Sequence, residues 1–218
     1  MLAPLLYPDS RPAPWPTGED VADAKSPYRV WIPEQPLLVL GYSQDPETEL
    51  HLDALTHDNV AVYKRRGGGG AVYLDAGCVC VAWRMPKRDT WGIADYFGAG
   101  NSAVASALGT AFGIHAAPRG ISDLAVDTAR GTRKILGSSL HLPREHALYL
   151  ASILVSTSTA TLDRYLKHPS REPDYRAGRT HGDFVANLSE LDAGATVEKV
   201  REAVEKTVQQ HNNTAAQQ

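Results

Sequence analysis

The sequence predicts an α+β fold: a mixed, mainly antiparallel curved sheet, or pair of sheets, flanked by helices. Three observations predict it. The runs GIHAAP, DLAVDT, TRKILGSSLHLP and HALYLASILVST, between residues 113 and 157, are short, apolar and divided by turn residues, as in a meander rather than a crossover series. Two other stretches repeat their apolar residues at helical spacing. No self-similar period of about 20 to 50 residues runs through the chain, which argues against solenoids and propellers.

Taken in order, residues 1–29 are proline-rich, include PAPWP and show no periodicity, so they predict an N-terminal arm that is extended over the fold or partly disordered. The main domain is expected over 30–210. YRVWIP and PLLVLGY are β-like, and DPETELHLDALTHD has an acidic start and leucines at 50, 52 and 55 that suit a short helix. NVAVYK is a strand that delivers the chain to four glycines. AVYLD and GCVCVAWRM, divided by Asp75-Ala76-Gly77, predict a hairpin. Residues 90–112 place Phe97, Val104, Leu108 and Phe112 near helical spacing, with small residues between them that permit close packing. The meander that follows predicts a second sheet or half-sheet. TATLDRYLKH and THGDFVANLSEL are each read as one short helix. ATVEKVREAVEKTVQQ is an amphipathic helix with valines at 197, 200, 204 and 208, and 211–218 a frayed tail.

Composition limits function. The chain has 218 residues, 43% hydrophobic and 22% charged, enough for one sizeable core, and its formal charge of -3 gives no global field toward nucleic acid or anionic lipid. Any anion site must be local. No apolar run approaches the roughly 18 residues of a membrane span, and the proline-broken N-terminus is not shaped as a signal peptide, so a cytoplasmic protein is expected. Cys78 and Cys80 stand one residue apart in GCVCVAW, without the CxxC separation of a zinc knuckle, and the histidines form no HxxxH or HExxH pair, so no metal site is expected.

KRRGGGGAVYLD, residues 64–75, carries the first chemical signal. Four glycines serve as a flexible hairpin loop, or they let backbone amides converge on an anion beside Arg65 and Arg66. The segment leads into a strand and lacks Gly-Lys-Ser/Thr, so it is neither a Walker loop nor a dinucleotide fingerprint. The second signal is GISDLAVDTARGTRKILGSSL, residues 120–140, with Asp123 and Lys134 on adjacent expected strands. An ammonium between apolar neighbours either snorkels to water or finds a partner.

Five ordered blocks then resemble the lipoate and octanoate protein ligases of the biotin/lipoate ligase superfamily. They are LLVLGYSQDP at 37–46, RRGGGGAVYLDAG at 65–77, SDLAVDTARGTRKILGSSL at 122–140, HALYLASILVST at 146–157 and EPDYRAGRTHGDFVANL at 172–188. The resemblance implies a catalytic domain with a fold like the biotin/lipoate ligases and class II aminoacyl-tRNA synthetases, and no accessory C-terminal domain. It implies a lipoate or octanoate protein ligase using ATP and Mg2+: the acid becomes an acyl-adenylate, and the acyl group then passes to a lysine of a lipoyl-domain protein. That acceptor would be glycine-cleavage H-like or 2-oxoacid dehydrogenase acyltransferase-like, and a companion accessory subunit is a further implied partner. By the family pattern Lys134 is catalytic and reaches the reacting carbonyl. Arg65, Arg66, Gly67, Gly68, Gly69, Gly70, Ala71, Val72, Tyr73, Asp123, Gly137 and Ser138 bind the acyl-nucleotide.

Val72, Leu74, Leu140 and Leu150 are candidate walls for an acyl tunnel and equally candidate core residues. Leu74 stands where the pattern often has histidine and Ser122 where it has asparagine. Two alternatives remain. An octanoyltransferase acting from acyl carrier protein needs a nucleophilic cysteine after the lysine motif, where this chain has none. A module that holds lipoyl domains without catalysis is the other. A biotin ligase is disfavoured, because the GRGRxxR loop is absent.

Overall fold

The computed structural model describes residues 14–215. In chain order its elements are β1 (Tyr28–Trp31), β2 (Leu37–Leu40), α1 (Pro46–Glu49), α2 (Leu52–His57), β3 (Ala61–Lys64), β4 (Val72–Leu74), β5 (Cys78–Pro86) and α3 (Ile93–Phe112). There follow β6 (Ala117–Arg119), β7 (Asp123–Thr128), β8 (Gly131–His141), β9 (His146–Leu154), α4 (Thr159–Tyr165), α5 (His181–Phe184), α6 (Leu188–Leu191) and α7 (Val197–Ala215). The strands form a six-stranded sheet ordered β1-β5-β9-β8-β7-β6 and a three-stranded sheet ordered β3-β2-β4. All pairs are antiparallel except β2 with β3, so the expected mixed, mainly antiparallel α+β architecture is what the chain adopts.

The layers follow from side-chain periodicity. α3 lays Phe97, Val104 and Leu108 on one face of the large sheet, and α7 adds Val200, Val204 and Val208, all three at most 1% exposed. The opposite face of the large sheet meets the small one through Cys78 and Cys80 against Leu37, Val39 and Leu74. The outer face of the small sheet, with Leu38, Leu40, Val62 and Tyr73, is covered by Leu55 of α2 and by Leu162 and Tyr165 of α4. Among the described residues no helix is long and apolar enough to cross a membrane.

Several sequence expectations need correction. The Asp75-Ala76-Gly77 turn exists, with the Cys78 amide donating to the Asp75 carbonyl at 2.9 Å. It does not close a hairpin. β4 pairs with β2 while β5 pairs with β1 and β9, so the turn passes the chain from one sheet to the other. The Asp75 carboxylate fixes this corner by accepting from the Thr157 hydroxyl at 2.8 Å and the Gly77 amide at 2.9 Å. Of the two arrangements expected for the meander, it forms a half of the large sheet and not a separate second sheet, because β9 joins β5 directly. The expected helix over the leucines divides at Leu50, which is extended and bridges Leu166. THGDFVANLSEL likewise divides at Val185, which bridges Lys134. α7 continues through His211 to Ala215, so only 216–218 of the expected tail lie outside the described residues.

The described part of the N-terminal arm lies against the fold. Residues 1–13 lie outside the described residues, but β1 opens at Tyr28 and Glu19–Ala22 form a 3-10 turn with Glu19 and Val21 buried. Val21 packs on Ala82, Leu148 and Leu150 of the large sheet. Glu19 is 1% exposed and accepts from the Arg66 amide at 2.7 Å. Burial raises its carboxyl above the usual range, opposed by that hydrogen bond and by the charges of Arg66 and Arg65. Trp15 lies under the Arg66 guanidinium at 5.5 Å. The arm is therefore tied to the glycine loop.

That tie is testable. Glu19→Ala leaves the Arg66 amide without its acceptor and is expected to lower unfolding stability by about 1–3 kcal/mol. Glu19→Gln keeps an acceptor and removes a buried charge, so its midpoint in urea at pH 7 is expected at or above that of the parent.

Candidate active site

Lys134 and Asp123 meet because β8 carries an extra residue. Pairing runs from Asp123–Gly137 to Leu124–Leu136 and then to Ala125–Lys134, which leaves Ile135 unopposed. In a regular ladder Lys134 would share the face of Leu124 and Val126, inside the main core. The bulge turns it to the face of Asp123, and Ile135 and Leu136 both enter the core at 0% exposure. Lys134 Nζ then sits 2.8 Å from Asp123 Oδ1. The backbone is held as well, since the Lys134 carbonyl accepts from the Ala186 amide at 2.8 Å.

Asp123 is enclosed by donors. Its Oδ1 also accepts from the Ser122 hydroxyl at 3.3 Å, and its Oδ2 accepts from the Tyr175 hydroxyl at 2.9 Å. Burial, with the Asp123 charge next, raises the Tyr175 phenol above its ordinary range, so it remains a donor. Opposite Asp123, Gly137 leaves room for the lysine: a Cβ there would stand 2.8 Å from Lys134 Nζ and 3.0 Å from its Cε.

The glycine loop is shaped by Arg65. Its guanidinium is 5% exposed as a residue and donates to the carbonyls of Gly68 at 2.7 and 3.1 Å, Gly70 at 2.8 Å and Val39 at 3.3 Å. Burial lowers it to about 10, still charged at neutral pH. Because the carbonyls turn to Arg65, the amides of Gly68, Gly69 and Gly70 have no acceptor among the described residues. Gly69 has φ +95, and its carbonyl lies so close to Gly41 that a Cβ on Gly41 would stand 2.0 Å away. Amides left open in this way can accept an anion.

Between the two sheets lies a cavity of about 130 Å³. Val39, Val72 and Leu74 wall it from the small sheet, and Cys80, Leu150 and Ala151 from the large one, while Gly69, Gly70, Asp123, Lys134 and Gly137 supply its polar surface. Apolar walls beside a cation and open amides suit a carboxylic acid with an alkyl chain. Cys78 and Cys80 are free and buried; burial pushes the Cys78 thiol up to about 12 and raises Cys80 well above the ordinary thiol range. Among the described residues no three His, Cys, Asp or Glu side chains converge as a metal cage.

Of the residues singled out from sequence, the structure gathers Arg65, Gly69, Gly70, Ala71, Val72, Asp123, Lys134, Gly137 and Ser138 around this cavity. Arg65 lies there as the loop's internal brace, its donors spent on carbonyls. Tyr73 is not brought to the cavity: alternation along β4 sends it to the outer face, with its ring 5.5 Å from that of Tyr165. Gly67 packs on the Leu140 carbonyl, Gly68 is exposed, and Arg66 is exposed over Trp15. Val72, Leu74 and Leu150 line the cavity, whereas Leu140 packs against the main core. Sequence reasoning missed Thr17, Trp31 and Ser139, which also line it, and Tyr175 behind Asp123. Ser139 and Tyr175 stood in quoted blocks, and nothing in EPDYRAG reveals which residue the tyrosine hydroxyl meets.

Known proteins share this fold. The model of the lipoyl protein ligase A/B catalytic domain matches residues 19–209. A bi-partite lipoate protein ligase from Thermoplasma acidophilum, studied with its E2 lipoyl domain, superposes with a TM-score of 0.71 and 26% identity over 83% of this chain and 68% of that one. A lipoate-protein ligase A bound with ATP gives 0.69 and 26% over 83% and 70%. LipL1 of P. falciparum in complex with lipoate gives 0.68 and 24% over 86% of this chain and 50% of that one, a likeness of fold. With the match running from the buried arm into the amphipathic helix, the chain belongs to the lipoyl protein ligase A/B catalytic domain family.

Proposed function

We propose that this protein is a lipoate or octanoate protein ligase, which activates the acid with ATP and transfers the acyl group to a lysine of a lipoyl-domain protein. The observation that carries this reading is the placement of Lys134 Nζ, fixed by Asp123 at 2.8 Å, on the same apolar-walled cavity as Gly69 and Gly70. ATP supplies the activation, as a mixed anhydride of the acid with AMP. The chain's residues fit it: amides without acceptors for phosphate oxygens, and a cation beside them. Among the described residues no carboxylate cage for Mg2+ is formed.

In the transfer step an acceptor amine attacks the acyl carbonyl, a C–N bond forms and the C–O bond to AMP breaks. Negative charge grows on the carbonyl oxygen and the departing phosphate. A fixed ammonium and oriented amides stabilise that charge without reorganising, which is worth roughly 3 kcal/mol per donor. Asp123 keeps Lys134 in place, and Ser122 and Tyr175 keep Asp123 in place.

The octanoyltransferase alternative requires a thiolate. Both cysteines of the chain are buried, with thiols raised by burial, which favours adenylation over a cysteine thioester. The ATP-bound and bi-partite relatives support the same reading, and the latter supports including a companion chain in the assay.

The direct test is the mass of an unmodified lipoyl domain after incubation with the protein, ATP and octanoate or lipoate. The expected result is one acyl addition that needs ATP; addition only from octanoyl-acyl carrier protein would establish the transferase instead, and none from either donor, with or without the companion chain, the noncatalytic module. Lys134→Ala is expected to lower transfer about a hundredfold with an unchanged unfolding curve, and a normal rate would remove the lysine from the mechanism. Tyr175→Phe removes one donor from Asp123 and is expected to reduce kcat about tenfold, consistent with roughly 1–1.5 kcal/mol for one hydrogen bond, while KM for the acid stays within about twofold.

A further inference from the structure

Behind the site, on the helix-covered face of the large sheet, three polar side chains meet inside an otherwise apolar core. Gly137 faces Lys134 and Ser139 faces Gly69, so alternation along β8 turns the Ser138 side chain, like Leu140, toward α3. There the Ser138 hydroxyl lies 3.3 Å from Asn101 Oδ1 of α3, and the same oxygen accepts from the Tyr149 hydroxyl of β9 at 2.7 Å. Asn101 is 2% exposed and Tyr149 0%. Burial raises the Tyr149 phenol above its ordinary range, opposed by a hydrogen bond with Ser138, so it stays a donor. The helix makes room for this ring, since a Cβ on Gly100 would stand 2.5 Å from it. Apolar side chains would fill the same space without desolvating an amide and two hydroxyls. What the polar groups add is a fixed mutual position.

The trio ends at the support of the reacting ammonium. A hydroxyl has one proton, and Ser138 gives its own chiefly to the shorter contact, the Ser122 carbonyl at 2.6 Å, which also accepts from the Ser138 amide at 2.9 Å. The Ser122 hydroxyl in turn donates to Asp123 Oδ1, the oxygen that holds Lys134 Nζ. We infer that Asn101 and Tyr149 are positioning residues for acyl transfer: they fix the Ser138 hydroxyl, which fixes Ser122 and so the Asp123 carboxylate that aims Lys134. The inference rests on the transfer reading above. Neither Asn101 nor Tyr149 lines the cavity, so both act through Ser138 and touch neither acid nor nucleotide. Ser122 lies just before β7 begins, and without the buried anchor its carbonyl is left chiefly with the backbone bond. Small displacements of an aiming group far from the chemistry are felt in the rate.

The test uses the full chain carrying Asn101→Leu/Tyr149→Phe, which replaces both buried partners by apolar groups of similar size and leaves Ser138 its acceptor at Ser122. Octanoylation of an unmodified lipoyl domain with ATP reads kcat and the KM for octanoate. Amide hydrogen exchange at Ser138, measured without substrate, reads the contact with Ser122. The expected result is a kcat lowered about tenfold, a KM within about twofold and Ser138 exchange about tenfold faster, with the urea midpoint unchanged. Ser138→Ala added to the double variant is expected to lower kcat no further, because all three residues act along one path. An unchanged kcat, or a loss of kcat that only follows a fallen urea midpoint, would reduce the trio to packing and overturn the inference. So would a raised KM at unchanged kcat, which would place the effect in acid binding. If the double variant does not fold, Ser138→Ala alone decides by the same kcat and KM. A parent without ATP-dependent acylation would fell the transfer reading; Ser138 exchange then decides the positioning by itself, upheld if faster in the double variant and overturned if unchanged.

Discussion

One unopposed residue in β8 sets the arrangement of the candidate site. Ile135 has no partner on β7, and the half-turn it introduces moves Lys134 from the helix-covered face of the sheet to the face with Asp123. In an unbroken ladder the ammonium would enter a core of Leu124, Val126 and Ile153, where an unpaired charge is not sustained. The same irregularity sends Ile135 and Leu136 together into that core, so the displaced register is stabilised by apolar burial rather than merely tolerated. Val185 and Ala186 then hold the lysine backbone from the side, and this contact is what interrupts the helical segment around them.

The second constraint is the way two buried ions, Arg65 and Glu19, share the work around the glycines. Arg65 gathers carbonyls from within, and Glu19 accepts the amide of the next residue from the arm. A bare tetraglycine has large conformational freedom and would lose much of it on binding a ligand. Here that ordering is done in folding, by the Arg65 side chain holding the carbonyls of Val39, Gly68 and Gly70 and by the Glu19 side chain from the arm. Preorganised amides act on developing charge without further rearrangement.

Much of this was legible in the sequence, and the failures share a cause. The valine spacing of α7, the span of α3 and the strands of the meander depend on local periodicity, and each is found near its expected place. The pairing of Asp123 with Lys134 was suggested by adjacent strands, but the bulge that makes it possible leaves no mark in RKILG. Turn chemistry at Asp75 is equally local and says only that the chain bends; whether β4 and β5 then pair is decided by β2, β1 and β9 competing for them. Arg65 and Arg66 look equivalent in sequence, yet one is an internal brace and the other is exposed. Thr17 and Glu19 could not be found, since a proline-rich stretch without periodicity carries no signal of what it will lie against.

The thiol in the cavity wall has an implication for which acids can be housed there. Thiol–disulfide exchange requires the attacking sulfur as its anion. Burial between the sheets holds Cys80 in its protonated form, with Cys78 beside it adding to the effect. A cyclic disulfide resting against that wall would meet an inert neighbour and keep its ring closed, so desolvation alone would let one compartment shelter a strained dithiolane as readily as a plain hydrocarbon tail.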